Sequence, residues 1–342
     1  MKPYTTSVVA TDFHLDTQRF FRGRQVTVFG GTGFIGSHVV EQLLALGAFP
    51  VVPSRNPEPG FLRHLGGAVR VLQCDLESTS DARRAVHGST AVLHLAASVG
   101  GLAFNAKHSA SIFHVNMLLF LNAIRAAQES GVERFLVTSS ACVYPRHCSI
   151  PTPESEGFAD RPEPTNEGYG WAKRMEEFLG AAYASEFAMP VAIARPYNAY
   201  GPRDNFSPDK SHVLPALIHR AMTTEGDSFA VWGDGSHSRS FLYADDFARG
   251  LLEVAARYAE GDPVNLGADE EVTIHQVATQ IADRVSAIRG RRIAARFDPS
   301  GLTGQPRRKC DTRKAIATLG FESRVPFSTG LEQTIDWYRS LG

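Results

Sequence analysis

The chain has 342 residues, of which 43% are hydrophobic, and its formal net charge at pH 7 is −1. This composition is typical of a globular protein with two domains, or with one large domain that carries a lobe. The balanced charge gives no electrostatic reason to expect nucleic acid or an anionic membrane as a partner. The cysteines form no CxxC pair and no metal-ligand spacing, so we expect no metal and a reduced, cytoplasmic setting. They are Cys74, Cys142, Cys148 and Cys310.

Residues 1–23 carry several charged side chains and lack the apolar core of a secretory signal. No run of about 18 uncharged apolar residues occurs, so we expect no membrane-spanning segment. We interpret residues 1–23 as a flexible or surface-bound extension, with no function assigned.

Short apolar runs alternate with helical patterns along the first part of the chain. Strands are predicted at 25–29, 49–52, 68–73, 91–97, 134–138 and 191–196, and helices at 37–46, 109–130 and 170–185. This alternation predicts an α/β fold, with a Rossmann-type, doubly wound parallel sheet covered by helices on both faces.

The pattern changes after Tyr197. A loop is predicted at 198–208, helices at 211–222 and 245–258, a short strand at 229–232, and at 263–267 a strand that returns to the first sheet. We therefore predict a dinucleotide-binding domain at 24–198, which also receives about 242–267. A smaller C-terminal α/β substrate lobe would comprise 199–241 and 268–342.

A glycine-rich turn follows the first predicted strand. Gly30 would permit the tight turn, Gly33 would let the backbone approach a pyrophosphate, and Gly36 would let the next helix pack closely on the sheet. Phe34 and Ile35 lie where the helix N-terminus offers free N–H groups and partial positive charge to phosphates. The spacing is GxxGxxG, and because it joins a strand to a helix it predicts dinucleotide binding.

The end of the second strand bears on the choice of cofactor. NAD sites place an acidic residue there for the ribose, whereas NADP sites often place an arginine near the 2′-phosphate. This chain has Pro53, Ser54 and Arg55 at that point. The absence of an acid favours NADP(H), with NAD as the alternative if Arg55 is only a solvated loop charge.

Tyr169 and Lys173 form a YxxxK pattern within a predicted helix. Residues four apart lie on one helix face, so the two side chains project together. The lysine and a cationic nicotinamide would lower the pKa of the phenol from about 10. Tyr169 could then exchange a proton with a carbinol/carbonyl pair. Ser139 and Ser140 end the fifth strand, where an α/β sheet binds its ligand, and one hydroxyl is expected to bond the same oxygen.

The segments GGTGFIG, SSACVYP and YGWAK, in this order, resemble the extended short-chain dehydrogenase/reductases, the nucleotide-sugar epimerase/dehydratase family. The resemblance covers essentially everything after Arg24. The later segments PTNEGYGWAK, NAYGPRDNF, KSHVLPAL, VWGDG and SRSF, with Val99 to Gly101, resemble the GDP-L-fucose synthase family. That resemblance implies C3/C5 epimerisation of a GDP-linked 4-keto-6-deoxyhexose, followed by NADPH-dependent reduction at C4. It also implies a homodimer formed through residues 109–130 and the helix of Tyr169.

The resemblance implies a role for individual residues. Ser140, Tyr169 and Lys173 match the family's hydride-transfer triad, Cys142 its epimerisation base, and His212 the partner acid. Arg308 stands where the family has a lysine, and arginine and lysine are not interchangeable at a geometric site. The implied nucleotide-sugar contacts are Asn198, Arg220, Trp232, Arg239 and Arg308. Besides the glycine turn and Arg55, the implied cofactor contacts are Asp75, Leu76, Ala96, Tyr169, Lys173, Pro196 and Asn198.

Several alternatives stay open at this point. Without the resemblance, Cys142 would be read as a small buried hydrophobe, and His212 as a loop or helix-cap histidine. The segments SSAC, WGDG and RSF also resemble GDP-mannose 3,5-epimerase, a redox-neutral relative that recycles bound NAD. A third alternative is a non-catalytic dinucleotide sensor, against which the intact Ser140, Tyr169 and Lys173 argue.

Overall fold

The computed structural model describes residues 4–208, 211–300 and 305–341, without the side chains at 102 and 103. The strands are β1 (Gln25–Phe29), β2 (Phe49–Ser54), β3 (Arg70–Gln73), β4 (Ala91–His94), β5 (Arg134–Thr138), β6 (Val191–Pro196), β7 (Ala199–Tyr200), β8 (Ser228–Trp232), β9 (Ser238–Ser240), β10 (Leu242–Tyr243), β11 (Glu260–Leu266), β12 (Glu271–Thr273), β13 (Ala294–Asp298) and β14 (Arg307–Arg308). The helices are α1 (Leu15–Phe21), α2 (Phe34–Ala45), α3 (Thr79–Val86), α4 (Leu102–Lys107), α5 (Ser109–Glu129), α6 (Glu167–Phe187), α7 (Val213–Thr223), α8 (Ala244–Arg257), α9 (Ile274–Arg289), α10 (Arg313–Leu319) and α11 (Phe327–Arg339).

The central sheet has seven strands in the described chain, in the order β11-β6-β5-β4-β1-β2-β3. Every neighbouring pair in it is parallel. The strand order reverses between β1 and β4, which makes the sheet doubly wound and creates a binding crevice beyond its carboxyl edge. The predicted Rossmann-type fold is therefore confirmed, including the return of 263–267 to this sheet as part of β11.

Helices cover both faces of the sheet, as the uninterrupted apolar strands require. On one face, Val26 and Val28 of β1 pack with α2 and α8 in the large core. On the other face, Phe29 of β1 packs with apolar residues of α3 and α5. Because side chains alternate along a strand, this one strand contributes to both cores. The carboxyl ends of the strands are thereby left free for a site.

The second lobe has a core of its own, built from α7, β8, α9 and α11. Its buried members include Leu217, Val231, Ile281 and Ile335. The C-terminal region does not pack wholly there, because Ala315 and Leu319 of α10, followed by Phe321, belong to the large core. The assignment of all of 268–342 to the substrate lobe is therefore too broad.

Residues 10–23 are bound to the sheet domain, which agrees with the surface-bound alternative of the prediction and not with the flexible one. Phe13 and Phe21 are buried members of the large core. The Thr17 hydroxyl donates a hydrogen bond of 2.6 Å to the Glu253 carboxylate on α8. The segment folds onto α8 because its apolar side chains complete a core that the sheet domain would otherwise leave open.

Among the described helices, α5 is long and apolar enough to cross a membrane by length and composition alone. Its buried residues, among them Phe120 and Ala123, pack with those of α3 in the core beside the sheet. A core helix passes the same test as a membrane span, so the length and composition of α5 are weak evidence for one.

Candidate active site

The glycine turn joins β1 to α2 at the carboxyl edge of the sheet. Gly30 has a φ of +82°, and a Cβ there would lie 2.9 Å from the Ala96 backbone nitrogen. A Cβ on Gly36 would lie only 2.1 Å from the Gly30 carbonyl oxygen, so the helix can pack this closely only with glycine there. Gly33 is the N-cap of α2, which places Phe34 and Ile35 in its first turn. The free N–H groups of this turn fit a dinucleotide pyrophosphate.

A cavity of about 550 Å³ opens beyond β2 and β3. Arg55 is exposed at its wall and has no carboxylate partner within salt-bridge distance among the described residues. Arg84 also lines the cavity but is bound to Asp81 at 2.7 Å. Asp75 lines it as well, and the buried Leu76 follows directly. Of the arginines that line the cavity, Arg55 is therefore the one without a carboxylate partner among the described residues.

The two serines at the end of β5 have different roles. Ser139 is buried, and its hydroxyl donates to the Glu177 carboxylate, which also binds Arg195 through two nitrogens. Ser140 is the N-cap of a short 3-10 turn, and its Oγ accepts the Cys142 N–H at 3.1 Å. The Ser140 proton is thus available for a ligand, whereas the Ser139 proton is not.

Tyr169 and Lys173 project together from α6, with the Lys173 Nζ 5.5 Å from the centre of the Tyr169 ring. Burial, together with Cys142 and Glu176, raises the pKa of Tyr169 to about 12, against the lowering effect of Lys173. The expected effect of Lys173 is present, but desolvation of the phenolate outweighs it. In the protein alone the pKa of the phenol is therefore above its ordinary value. The predicted lowering includes the charge of a bound nicotinamide and stays a prediction.

Cys142 lies beside this pair. Its Sγ accepts a hydrogen bond of 3.7 Å from the Asn166 side-chain amide, and Asn166 is itself the N-cap of α6. Asn166 was not predicted; its place three residues before Tyr169 is the only sequence signal for it. Ser140, Cys142, Tyr169 and Lys173 therefore form one cluster at the carboxyl edge of the sheet.

His212 makes no hydrogen bond to that cluster. It is the N-cap of α7, and no hydrogen bond joins it to Cys142 or Tyr169. Its surface is exposed, yet protein surrounds the ring closely enough for desolvation to lower the pKa of the imidazole. The exposed surface leaves the ring accessible to a ligand. Its pairing with Cys142 stays a prediction.

Cationic side chains lie on the second lobe. Arg220 stacks on Trp232, with the guanidinium carbon 4.5 Å from the ring centre, and Trp232 is 55% exposed. Arg239 on β9 and Arg308 on β14 are register partners in neighbouring parallel strands. Neither has a carboxylate within salt-bridge distance among the described residues, whereas Lys309 binds Asp269 at 2.8 Å. Of the neighbouring residues Arg308 and Lys309, Arg308 is thus the one without a carboxylate partner among the described residues.

The remaining predicted contacts lie at the junction of the lobes. Asn198 follows β6, and its amide donates a hydrogen bond of 2.8 Å to the Ser240 carbonyl. Pro196 ends β6 and is buried. Asn198 is thus held by the strand that carries Arg239, which couples the sheet domain to the second lobe.

A Rossmann sheet, a glycine turn at a helix N-terminus, and a Tyr–Lys pair beside the end of β5 define an NAD(P)-dependent enzyme. The sequence profile of the NAD dependent epimerase/dehydratase family matches residues 26–267. The chain belongs to this family.

Its relatives cover almost the whole chain. GDP-L-fucose synthase 1 of Arabidopsis thaliana is 34% identical over 320 residues, 93% of this chain and 94% of that protein. dTDP-4-dehydro-6-deoxy-D-allose reductase of Streptomyces bikiniensis is 33% identical over 328 residues, 93% of this chain and 97% of that protein. A GDP-L-fucose synthetase from Naegleria fowleri bound to NADP is structurally similar, with a TM-score of 0.76, 25% identity, and coverage of 93% and 95%.

Proposed function

We propose that this protein is a nucleotide-sugar epimerase/reductase that acts on a GDP-linked 4-keto-6-deoxyhexose. It would epimerise C3 and C5 and then reduce C4 with NADPH. The observation that carries the proposal is the thiol of Cys142 in one cluster with Ser140, Tyr169 and Lys173. A simple ketoreductase needs only the last three groups, whereas an epimerase also needs a base. The similarity to GDP-L-fucose synthases supports the same reaction.

The epimerisation half uses the acidity of carbons next to a ketone. In this proposal the Cys142 thiolate removes a proton from C3 or C5, and the resulting enolate is reprotonated on the opposite face. His212 supplies that second proton, which makes the two roles distinct. The exposed His212 ring at the start of α7 is accessible to a substrate bound by the second lobe.

The reduction half uses the Tyr169 phenol. NADPH, when bound, supplies the hydride for C4. Tyr169 donates its proton to the C4 oxygen, and the Ser140 hydroxyl donates a hydrogen bond to the same oxygen. A phenol whose pKa is raised to about 12 is protonated at neutral pH, so it is ready to act as a donor.

The second lobe would hold the nucleotide. Arg239 and Arg308 present adjacent guanidinium groups, which suit a diphosphate because arginine forms charge-assisted, often bidentate, bonds to phosphate. The exposed Trp232 ring, stacked on Arg220, offers a flat face to a base.

The runner-up is a redox-neutral epimerase with tightly bound NAD, similar to GDP-mannose 3,5-epimerase. The unpaired Arg55, with no acid at the end of β2, favours NADP(H) over NAD and so weighs against it. The similarity to a dTDP-sugar reductase leaves the nucleobase as a point to be tested. A non-catalytic sensor would bind the dinucleotide and turn nothing over.

We also propose a cytoplasmic homodimer formed through α5 and α6. Large apolar side chains are exposed on these helices, and covering them would remove apolar surface from water. They are Phe113, Leu121, Phe178 and Phe187. Light scattering at micromolar concentration should give twice the mass of 37.3 kDa, and a monomer would contradict the proposal.

A substrate screen tests the proposed function. GDP-, dTDP-, UDP- and CDP-linked hexoses, with and without a 4-keto group, would be incubated with NADPH while absorbance at 340 nm is followed. We expect oxidation of NADPH with the GDP-linked 4-keto-6-deoxyhexose above all others. No oxidation with any 4-keto sugar would contradict the reductase, and a preference for dTDP would correct the nucleobase.

A further inference from the structure

Lys173 has a second partner besides Tyr169. Its ammonium group lies 2.8 Å from the Glu176 carboxylate, three residues further along α6. Both side chains are fully buried, and the other Glu176 oxygen has no hydrogen-bond partner among the described residues. The sequence signal was present as an i,i+3 pair of opposite charges, but such pairs are usually solvated surface pairs.

The position of this carboxylate bears on the chemistry. A lysine activates a neighbouring phenol because its positive charge stabilises the phenolate. An anion bound to the same ammonium cancels part of that field, and it does so strongly in a site without water. The pair Lys173–Glu176 is therefore a weaker activator of Tyr169 than a lone lysine.

We infer that Glu176 is a positioning residue, which holds the Lys173 ammonium in a buried ion pair and keeps Tyr169 in its neutral, proton-donating form. The inference deepens the proposed function, on which it rests for the role of Tyr169 as an acid. A neutral Tyr169 favours reduction of the ketone over oxidation of the alcohol, because reduction needs a phenol that carries its proton. The phenol proton goes to the carbonyl oxygen as the hydride goes to the carbon, so the charges balance.

The other ionisable groups near the pair do not replace Glu176. The neighbouring Glu177 is bound by Arg195 through two nitrogens. His94 on β4 is fully buried, and burial, with Lys173, lowers its pKa to about 3, so it is neutral. The Cys142 thiol accepts a hydrogen bond from Asn166, and it contributes to the raised pKa of Tyr169.

The charge of Glu176 depends on two opposing influences. Burial raises its pKa, whereas Lys173 lowers it. The ionised carboxylate opposes Lys173, and its protonation would release part of the lysine field toward Tyr169.

The test measures the ionisation of Tyr169 directly and needs no substrate. Tyrosinate absorbance at 295 nm would be titrated for the full-length wild type, Tyr169→Phe, Glu176→Gln and the double variant. Subtracting each Tyr169→Phe curve from its parent isolates the Tyr169 titration in both backgrounds. Circular dichroism at each pH confirms that the proteins stay folded. Glu186→Gln, which removes an exposed carboxylate from the same helix, is the matched control for net charge.

We expect the Tyr169 midpoint in Glu176→Gln to fall by about one pH unit or more, and that in Glu186→Gln to stay unchanged. The alkaline limb of kcat for ketone reduction should move by the same amount. Superimposable Tyr169 curves with and without Glu176 would overturn the inference. If Glu176→Gln does not fold, the wild-type difference curve still decides, because a Tyr169 midpoint at or below about 10 would overturn it. A wrong substrate assignment leaves the absorbance result untouched, so the two failures are distinguishable.

Discussion

Arg308 on β14 lies directly across from Arg239 on β9, and no described carboxylate pairs with either guanidinium group. Burial, together with the charge of Arg308, lowers the pKa of Arg239 to about 10. Two like charges so placed are stabilised when an anion bridges them. The pair therefore supports the proposal that the second lobe binds the diphosphate of a nucleotide sugar.

Replacing either arginine of this pair should weaken substrate binding. In Arg239→Gln or Arg308→Gln we expect KM for the nucleotide sugar to rise about 10- to 100-fold, the equivalent of about 1.5–3 kcal/mol for a charged hydrogen bond. The value of kcat should change little, because the diphosphate is bound equally in the ground and transition states. Arg307→Gln is the control, since Arg307 is bound to Glu271 at 2.7 Å. Steady-state kinetics with unchanged KM in both variants would contradict this role.

Substitution of Ser140 should affect catalysis, whereas substitution of the adjacent Ser139 should affect stability. Ser140→Ala should lower kcat about 100- to 1,000-fold, the usual loss for one donor to a developing oxyanion, with the melting temperature nearly unchanged. Ser139→Ala should instead reduce the free energy of unfolding by about 1.5–3 kcal/mol, because it leaves the buried Glu177 with one donor fewer. Urea unfolding and single-turnover kinetics measure both effects. The reverse pattern would show that Ser139 is the catalytic hydroxyl.

Local patterns predicted the sheet well, and β1 and β5 have the predicted bounds. These strands are short apolar runs between clear breakers, so periodicity and propensity agree. The sequence did not decide between a flexible and a bound N-terminal segment, because its core contacts, such as those of Phe21, are with helices far along the chain. The Arg239–Arg308 pairing and the burial of Glu176 also depend on tertiary packing, which a single sequence does not encode locally.

Arg55 should determine the choice of nicotinamide cofactor. Arg55→Ala should weaken NADPH binding about 10- to 100-fold, through loss of about 1.5–3 kcal/mol, and leave NADH binding nearly unchanged. Fluorescence titration of both cofactors measures the effect, with the exposed Arg63→Ala as control. If both cofactors bind equally and Arg55→Ala changes neither, the arginine is only a solvated loop charge.

Asp204 should make stability depend on pH. Burial raises its pKa to about 7, and one of its oxygens has no hydrogen-bond partner among the described residues. A carboxyl whose pKa is raised on folding favours the folded state when protonated, so its contribution is lost as pH rises from about 4 to about 7. Asp204→Asn should remove this loss and gain up to about 3–4 kcal/mol at pH 8, in unfolding titrations. The exposed Asp160→Asn serves as control, and equal pH slopes for wild type and Asp204→Asn would contradict the prediction.

The most direct test of the proposed two-base epimerase/reductase follows both half-reactions in one experiment. The wild type is incubated with NADPH and a GDP-linked 4-keto-6-deoxyhexose in heavy water, and the product is analysed by NMR. We predict deuterium at C3 and C5, inversion at both carbons, and one NADPH oxidised per product. In Cys142→Ser the exchange should be lost, because a serine hydroxyl is far less acidic than a thiol, while NADPH-dependent reduction survives. NADPH oxidation by the wild type without deuterium in the ring would indicate a simple ketoreductase. Deuterium in the ring without NADPH oxidation would indicate a redox-neutral epimerase. Either result would contradict the proposed two-base epimerase/reductase.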